Sequence, residues 1–424
     1  MPQIPLATRK CYLFYTSSHP LAAPPGPSPT GAAVANPFEQ PVTTGALDPT
    51  ANPFRPGMGR VPPDFGGREP ALRRAKHVVD QLTRGQAPPA VLYRGVRGVG
   101  KTALLAYVRQ QARSRGLLTI HLEADRGDAD LTASRETLLR DGAALLDGPG
   151  STEVPLAVLE RRSGHVVARS AGSPQATFER AVGDLAALAG AAGRGVLLTV
   201  DEVHEAEETL LKPLLRAAHR TAQDDLPIGV LLSGLPAAAE TLFDEGQTYT
   251  ERLERVELGL LDRDGTAEAI RSPFAREVGA EVDEFVIDAV QDGSGGYPWF
   301  VQLWGAALWD LAGDPTRIRL EDARAAGVEV HERVEAFFVD RWRRVPSGRA
   351  TRLVVTLAEL GGEAEMSEVT TALDLTHQAL SPARREVVDR GLAWAPGRGR
   401  LAFTVPGFAD WVRRTRPDEG GVPG

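Results

Sequence analysis

The sequence has one cysteine, Cys11, in 424 residues, which excludes an intramolecular disulfide and any zinc site built on cysteines. Its eight histidines are scattered, with no H-x-x-x-H pair and no His/Asp cluster to suggest a metal centre. Long apolar runs are missing. Nothing approaches the roughly 18 residues of a membrane span, and the stretch CYLFY after Arg9 and Lys10 stops at Thr16, too soon for a signal sequence. An excess of positive charge is missing too. With 48 Lys+Arg against 56 Asp+Glu the net charge is -8, so contact with nucleic acid would need a local basic patch. These absences leave a reducing cytoplasm as the simplest setting, away from membranes. What is present, 42% apolar and 25% charged residues, suffices for two or three globular domains.

From about Ser17 to Pro63 the chain is Pro, Gly, Ala, Ser and Thr with little periodicity, a composition that buries too little apolar surface to offset its ordering entropy. Residues 1–60 are therefore expected to be disordered. A small repeat sits inside them, Ala35-Asn-Pro-Phe38 and Ala51-Asn-Pro-Phe54, which reads more readily as linker duplication, or as extension upstream of Met58, than as a docking peptide. Beyond Phe65 apolar strands alternate with amphipathic helices, the pattern of a parallel α/β sheet. Strands are expected over Pro89–Tyr93, Gly116–Glu123, Gly195–Val200 and Ile228–Leu232. The Gly- and charge-rich segment from Arg126 to Ser173 reads as an insertion or as a helix-and-hairpin connection. Helices dominate after Leu261. Pro298–Leu311 sets Phe300, Leu303, Trp304, Ala307, Leu308 and Leu311 on one face, so Trp304 belongs to a core rather than to a base-stacking platform.

Three motifs carry the chemistry. Gly95, Val96, Arg97, Gly98, Val99, Gly100, Lys101 and Thr102 match G-x-x-x-x-G-K-[ST] between a strand and a helix that continues with Ala103. The glycines let backbone N–H groups converge on phosphates, Lys101 neutralises β/γ charge, and Thr102 can ligate Mg²⁺. The apolar strand ending in Asp201-Glu202, 100 residues after Lys101, delivers one acid to hold a hydrated Mg²⁺ and a second to act as general base on water. A third strand ends at Ser233, a small polar residue placed to report on the γ-phosphate. An ordinary strand terminus is the alternative there.

This order of loop, Asp-Glu strand and polar-ended strand resembles the AAA+/STAND group of P-loop ATPases, particularly its branch near archaeal-type ATPases and origin-recognition initiators. Phe65-Gly-Gly-Arg68-Glu69 is similar to the box that opens those domains, where the segment Val61–Phe65 helps cover the adenine. Glu251–Leu258 resembles their arginine-bearing strand, and Gly295-Gly296-Tyr297-Pro298 their G-x-P lid element, whose Pro298 lies near the nucleotide. The resemblance implies an α/β fold with a parallel-sheet P-loop NTPase core of AAA+/ASCE type over 61–261, a helical lid over 262–344 and a winged helix over 345–416, with 417–424 a disordered tail. It implies ATP with Mg²⁺. It also implies self-association if Arg252, rather than Arg255, serves as an arginine finger from a neighbouring subunit; both could equally decorate a strand edge. Tyr297-Pro298 stands where a motor carries its sensor arginine, which favours a slow switch over processive remodelling.

The C-terminal region reads as helix, helix, turn, helix and hairpin. Thirteen arginines against eight acids from 341 to 416 give a local balance of +5. Arg384 and Arg385 on the expected recognition helix, with Arg398 and Arg400 on the wing, would form a basic ridge for double-stranded DNA. Pro382 suggests that this helix begins near Ser381 or is kinked. A protein-docking or autoinhibitory role is the alternative for the module, within a STAND-like signalling ATPase, and a helper that loads a recombinase or helicase is a third reading.

Overall fold

The computed structural model describes residues 46–57, 59–146, 154–162, 165–236, 238 and 253–415. The first half contains α1 (Glu69–Thr83), β1 (Val91–Arg94), α2 (Lys101–Ser114), β2 (Leu118–Glu123), α3 (Thr132–Leu146), the hairpin β3 (Leu159–Arg162) and β4 (His165–Ala168), α4 (Pro174–Ala191), β5 (Val196–Asp201), α5 (Lys212–Gln223), β6 (Ile228–Gly234) and β7 (Glu254–Glu257). Five strands form one parallel sheet in the order β2-β5-β6-β1-β7. Every residue of β5 and β6 is buried, as strands covered on both faces require. Leu198, Val200 and Leu232 point into the core under α3, α4 and α5, while their neighbours Leu197 and Leu231 point to the opposite core under α1 and α2. Because the strands run parallel, the turns after β1, β5, β6 and β7 all leave from the same sheet edge.

Of the two readings of the segment from Arg126 to Ser173, the structure has the helix and hairpin. Buried Asp184 of α4 holds the approach to β3, accepting the N–H groups of Ala157, Val158 and Leu159, each at 2.8 Å. Three short carboxylate bonds offset the desolvation of that acid.

The lid comprises α6 (Arg263–Val278), β8 (Glu281–Val282), α7 (Glu284–Ser294), α8 (Pro298–Leu311), β9 (Arg317–Ile318) and α9 (Leu320–Trp342). Trp304 is core, as expected. The single apolar face expected of α8 is too narrow a description, for residues 300 to 309 are buried all the way round. Helices α7 and α9 cover one side, and the chain from Ala46 to Phe54 covers the other. The expected disorder of residues 1–60 is therefore corrected over 46–57, where Leu47 and Phe54 join the lid core. These two anchors, in an otherwise Pro- and Ala-rich stretch, are buried against the helices of the lid.

The C-terminal module contains α10 (Arg349–Glu359), β10 (Glu363–Glu365), α11 (Met366–Leu373), α12 (His377–Asp389), β11 (Ala393–Trp394), β12 (Arg400–Phe403) and α13 (Phe408–Thr415), with an antiparallel sheet ordered β10-β12-β11. Helix α12 does not start at Ser381. Thr376 caps it, its Oγ1 accepting the N–H of Ala379 at 3.2 Å, and the helix runs through Pro382, which faces solvent. Lid and module share one apolar cluster. Arg341, near the end of α9, locks them: its Nη2 donates to Gly391 O (2.6 Å), Leu392 O (3.3 Å) and Thr404 Oγ1, and its guanidinium lies 5.6 Å from the Phe408 ring centroid. Burial pushes its pKa down to about 10, so the side chain is still charged at neutral pH. Among the described residues no helix is long and apolar enough to cross a membrane.

Candidate nucleotide site

The loop after β1 turns on two left-handed glycines, Gly98 at φ 86° and Gly100 at φ 95°. Gly98 is required for space as well as for backbone angle. A Cβ there would lie 1.7 Å from the Tyr297 hydroxyl, which donates to Arg97 O at 3.1 Å. Val96, Val99 and Ala103 are buried and seat the loop on the core, and Thr102 is exposed beside them. Lys101 is buried, its Nζ donating to Gly95 O (2.9 Å) and Val96 O (3.0 Å). Burial lowers its pKa, against the opposing pull of the Glu202 and Asp201 carboxylates. At the start of α2 the N–H groups before the first helical bond, Leu104 to Gly100 O at 2.9 Å, are the orphan donors of any helix start.

Asp201 ends β5 and is almost fully buried. Its Oδ1 accepts from Ser233 Oγ and from the Glu202 N–H at 2.9 Å. Glu202 sits at φ 53°, ψ 37°, a left-handed position uncommon for a residue with a Cβ and typical of strain held at a functional site. Burial raises its pKa, opposed by Lys101. His204 stands beside the acid pair. Its Nδ1 accepts from the Leu235 N–H at 3.4 Å, which leaves the proton on Nε2, 3.3 Å from both Glu202 Oε2 and Glu205 Oε1. These contacts are not ion pairs, because burial pushes the His204 pKa down to about 4 and the ring is neutral.

Lys101, Thr102, Asp201, Glu202 and Ser233 thus converge on one sheet edge. Asp201 and Ser233 touch directly, whereas Lys101 lies against loop carbonyls. Pro298 opens α8 next to Tyr297, at the loop. Arg252 lies outside the described residues, and Arg255 is on β7. Among the described residues no group of three or more His, Cys, Asp or Glu could hold a metal, so a cation here would depend on Thr102, Asp201 and phosphate oxygens.

The loop is fastened from two further sides. Arg68 Nη2 donates to Val99 O (3.1 Å) and Gly259 O (2.6 Å), tying the Phe65–Glu69 box to the loop and to the exit from β7. From the C-terminal module, Trp394 packs against the core cluster that holds Val96 and Val99, and Gly391 lies against the Arg97 side chain, where a Cβ would be 2.6 Å from Arg97 Cδ. A cavity of about 560 Å³ lies between the start of the loop and the module, lined in part by Gly95, Leu258, Trp394, Phe403 and Val405; Lys101 and Asp201 are not part of it. Sequence reasoning missed Arg341 and the Arg97–Gly391 contact, which join residues distant in the chain and leave no local pattern.

Of the residues of the expected basic ridge, the structure places Arg400 exposed beside two acids. Arg385 and Arg398 are exposed and Arg384 is half-buried. Arg400 is held between Glu363 (2.7 Å) and Glu365 (3.5 Å), because the antiparallel register sets it opposite Glu365. Glu386 and Asp389 share the exposed face of α12 with Arg385.

Residues 64–232 match the family described as AAA ATPase domain, and residues 335–412 match one described as Domain of unknown function (DUF8462). Residues 64–232, with their P-loop and parallel sheet, thus have the make-up of an AAA ATPase domain. Among curated proteins none matches it. Solved structures similar to it include the Thermotoga maritima RuvB Holliday junction branch migration motor, 15% identical, covering 85% of this chain and 97% of that one at a TM-score of 0.39. The Aeropyrum pernix ORC1 protein in complex with DNA is 19% identical (85% and 94% covered, TM-score 0.41), and Cdc6p from Pyrobaculum aerophilum is 12% identical (87% and 96%, TM-score 0.43). Similarity at that level carries no argument about activity or partner.

Tyr297 is the one side chain from the lid in hydrogen-bond contact with the loop among the described residues. Tyr297→Phe, which removes a bond of about 1 kcal/mol, is expected to speed release of a fluorescent ATP analogue roughly fivefold in stopped-flow chase. An unchanged rate would show that this contact does not restrain nucleotide.

Proposed function

We propose that the protein is a nucleotide-controlled switch that binds ATP with Mg²⁺, hydrolyses it slowly, and passes the state of the site to its C-terminal module, whose output is contact with double-stranded DNA. The observation that carries this reading is the seating of the module on the phosphate loop, with Gly391 against Arg97 and Trp394 against the core cluster that holds Val96 and Val99, while Arg341 locks module to lid. A nucleotide filling the loop acts on Arg97 and Tyr297 first, and both already touch the parts that would move. The residues suit such a ligand. Two left-handed glycines aim backbone donors at one point, and Asp201 has Oδ1 saturated by two donors, which leaves Oδ2 for a hydrated cation.

In this reading the backbone from Gly95 to Ala103 and Lys101 hold the phosphates, Thr102 and Asp201 hold the cation, and Pro298 lies near the nucleotide. Bound Mg²⁺ would neutralise charge on the β- and γ-phosphates. Glu202 takes the proton from water, Ser233 orients Asp201, and Arg252, or Arg255 in its place, completes the site from a neighbouring copy. The α-β-α-α-β-β order of the module supports a winged helix, with Arg384, Arg385 and Arg398 as its phosphate contacts. The setting that we infer is the cytoplasm.

The test is duplex binding by anisotropy with ATP and with ADP across a salt series. Arg385→Ala and Arg398→Ala should each reduce the salt slope by about 1, and Arg400→Ala should leave it unchanged. No salt-dependent binding in either nucleotide state sinks the DNA output. The second reading, a signalling ATPase whose module docks protein, is favoured by the Arg400 clamp and the acids of α12. It expects an ATP-dependent mass increase in sedimentation without DNA, absent in Lys101→Ala.

A further inference from the structure

The face of α8 opposite α7 and α9 carries a strip of N-terminal chain in which each residue of Asn52-Pro53-Phe54 has a separate function. Asn52 Nδ2 donates to Ala306 O (3.1 Å) and Asp310 Oδ1 (2.8 Å), and its Oδ1 accepts the Phe54 N–H at 3.0 Å, closing an Asx turn. Pro53 fixes the backbone between these contacts and has no N–H to satisfy. Phe54, 4% exposed, fills a notch made by a missing side chain: a Cβ on Gly305 would be 2.3 Å from its ring, and the Phe274 ring centroid is 5.5 Å away. Upstream, Leu47 is buried, Trp309 Nε1 donates to Asp48 O (2.9 Å), and the Ala46 N–H donates to Ala312 O (2.7 Å).

The sequence holds this triplet twice, at 36–38 and 52–54, each preceded by alanine and 16 residues apart. What repeats is the Asn-Pro-Phe triplet that the groove contacts. What does not repeat is Leu47, whose counterpart 16 residues upstream is Gly31. We infer that the α8 groove is a receptor for Asn-Pro-Phe segments and that residues 36–38 of the same chain are its second occupant, exchanging with 52–54. The tether from the second copy to α1 is longer by 16 residues, so it reaches any point the first copy reaches. Its effective concentration at the groove is on the order of millimolar, well above that of a neighbouring molecule. Without a Leu47 counterpart it is the minor occupant. When it binds, the hold of Ala46 and Asp48 on α8 is released, and the strap leading to the Pro63 carbonyl, which accepts from Arg276 Nη2 at 3.2 Å, loses its upstream anchor. The groove therefore supports a tight and a loose strap beside the nucleotide site.

Four full-length chains test this by thermal unfolding and amide exchange: wild type, Phe38→Ala, Phe54→Ala and the double variant. Phe38→Ala should match wild type. Phe54→Ala should lose several degrees and part of the protection across 305–312, since the second copy takes over. The double variant should exchange there about tenfold faster than Phe54→Ala and melt several degrees lower. Identical behaviour of the single and double variants overturns the proposal, and protection by Phe38 that rises with protein concentration overturns the same-chain assignment. Should Phe54→Ala fail to fold, wild type is titrated with a peptide of residues 31–42. Faster exchange at the Ala46 and Phe54 N–H groups, absent with the Phe38→Ala peptide, supports the receptor; no effect at millimolar peptide overturns it.

Discussion

Glu202→Gln is expected to lower ATP turnover by about 10²–10⁴-fold while nucleotide affinity stays within a few-fold of wild type. The amide keeps the volume and the left-handed backbone of Glu202 but cannot accept a proton from water. Steady-state turnover and equilibrium binding of a fluorescent analogue separate the two effects, and retention of more than half the activity would remove Glu202 from the base role. The pH profile supplies a second check. Burial raises the Glu202 pKa, so the base is lost as pH falls through a value above that of a free glutamate, and the acid limb of turnover should be displaced upward in the same direction. Burial lowers the Lys101 pKa, so its charge, and phosphate binding with it, is lost as pH rises through a value below that of a free lysine. Glu202→Gln should abolish the acid limb in whatever activity is left.

The core was legible because its signals are local. Strands buried on both faces read as unbroken apolar runs, Gly195–Val200 and Ile228–Leu232, and the loop's glycines, Lys101 and Thr102 sit within eight residues of one another. Charge counting served less well. The +5 balance from Arg341 to Arg416 is real, yet β10 brings Glu363 and Glu365 onto Arg400, and only strand register decides that pairing. Composition misled at the N-terminus, where Leu47 and Phe54 are two anchors in a stretch whose average argues for disorder. Helix α8 was read as one-faced because the second partner of its apolar surface was that same stretch. In the sequence Tyr297 stands out only for what it replaces; its contact with Arg97 depends on a fold that brings together residues 200 apart.

Arg341 carries the second large effect, and its role is wholly tertiary. Arg341→Met keeps an unbranched side chain but removes the guanidinium over Phe408 and the donor shared by Gly391 O, Leu392 O and Thr404 Oγ1. Thr404 Oγ1 itself donates to Gly391 O at 2.8 Å and the Thr404 N–H to Leu392 O at 3.2 Å, so both carbonyls keep a partner and the loss is limited to about 2–3 kcal/mol, the worth of a charged donor. Arg341→Lys should recover little of it, because a single ammonium on a flexible stem does not reproduce the planar fork. In urea, lid and module of the wild type should unfold together, as one apolar cluster requires. Arg341→Met should shift that transition to lower urea, and the module should separate from the lid as an earlier step. If the midpoint does not move, the lid and module are held by their apolar contacts alone. The nucleotide signal would then have to reach the module through Arg97 and Gly391, which Arg97→Ala, read by the ATP dependence of amide exchange at 391–394, would test directly.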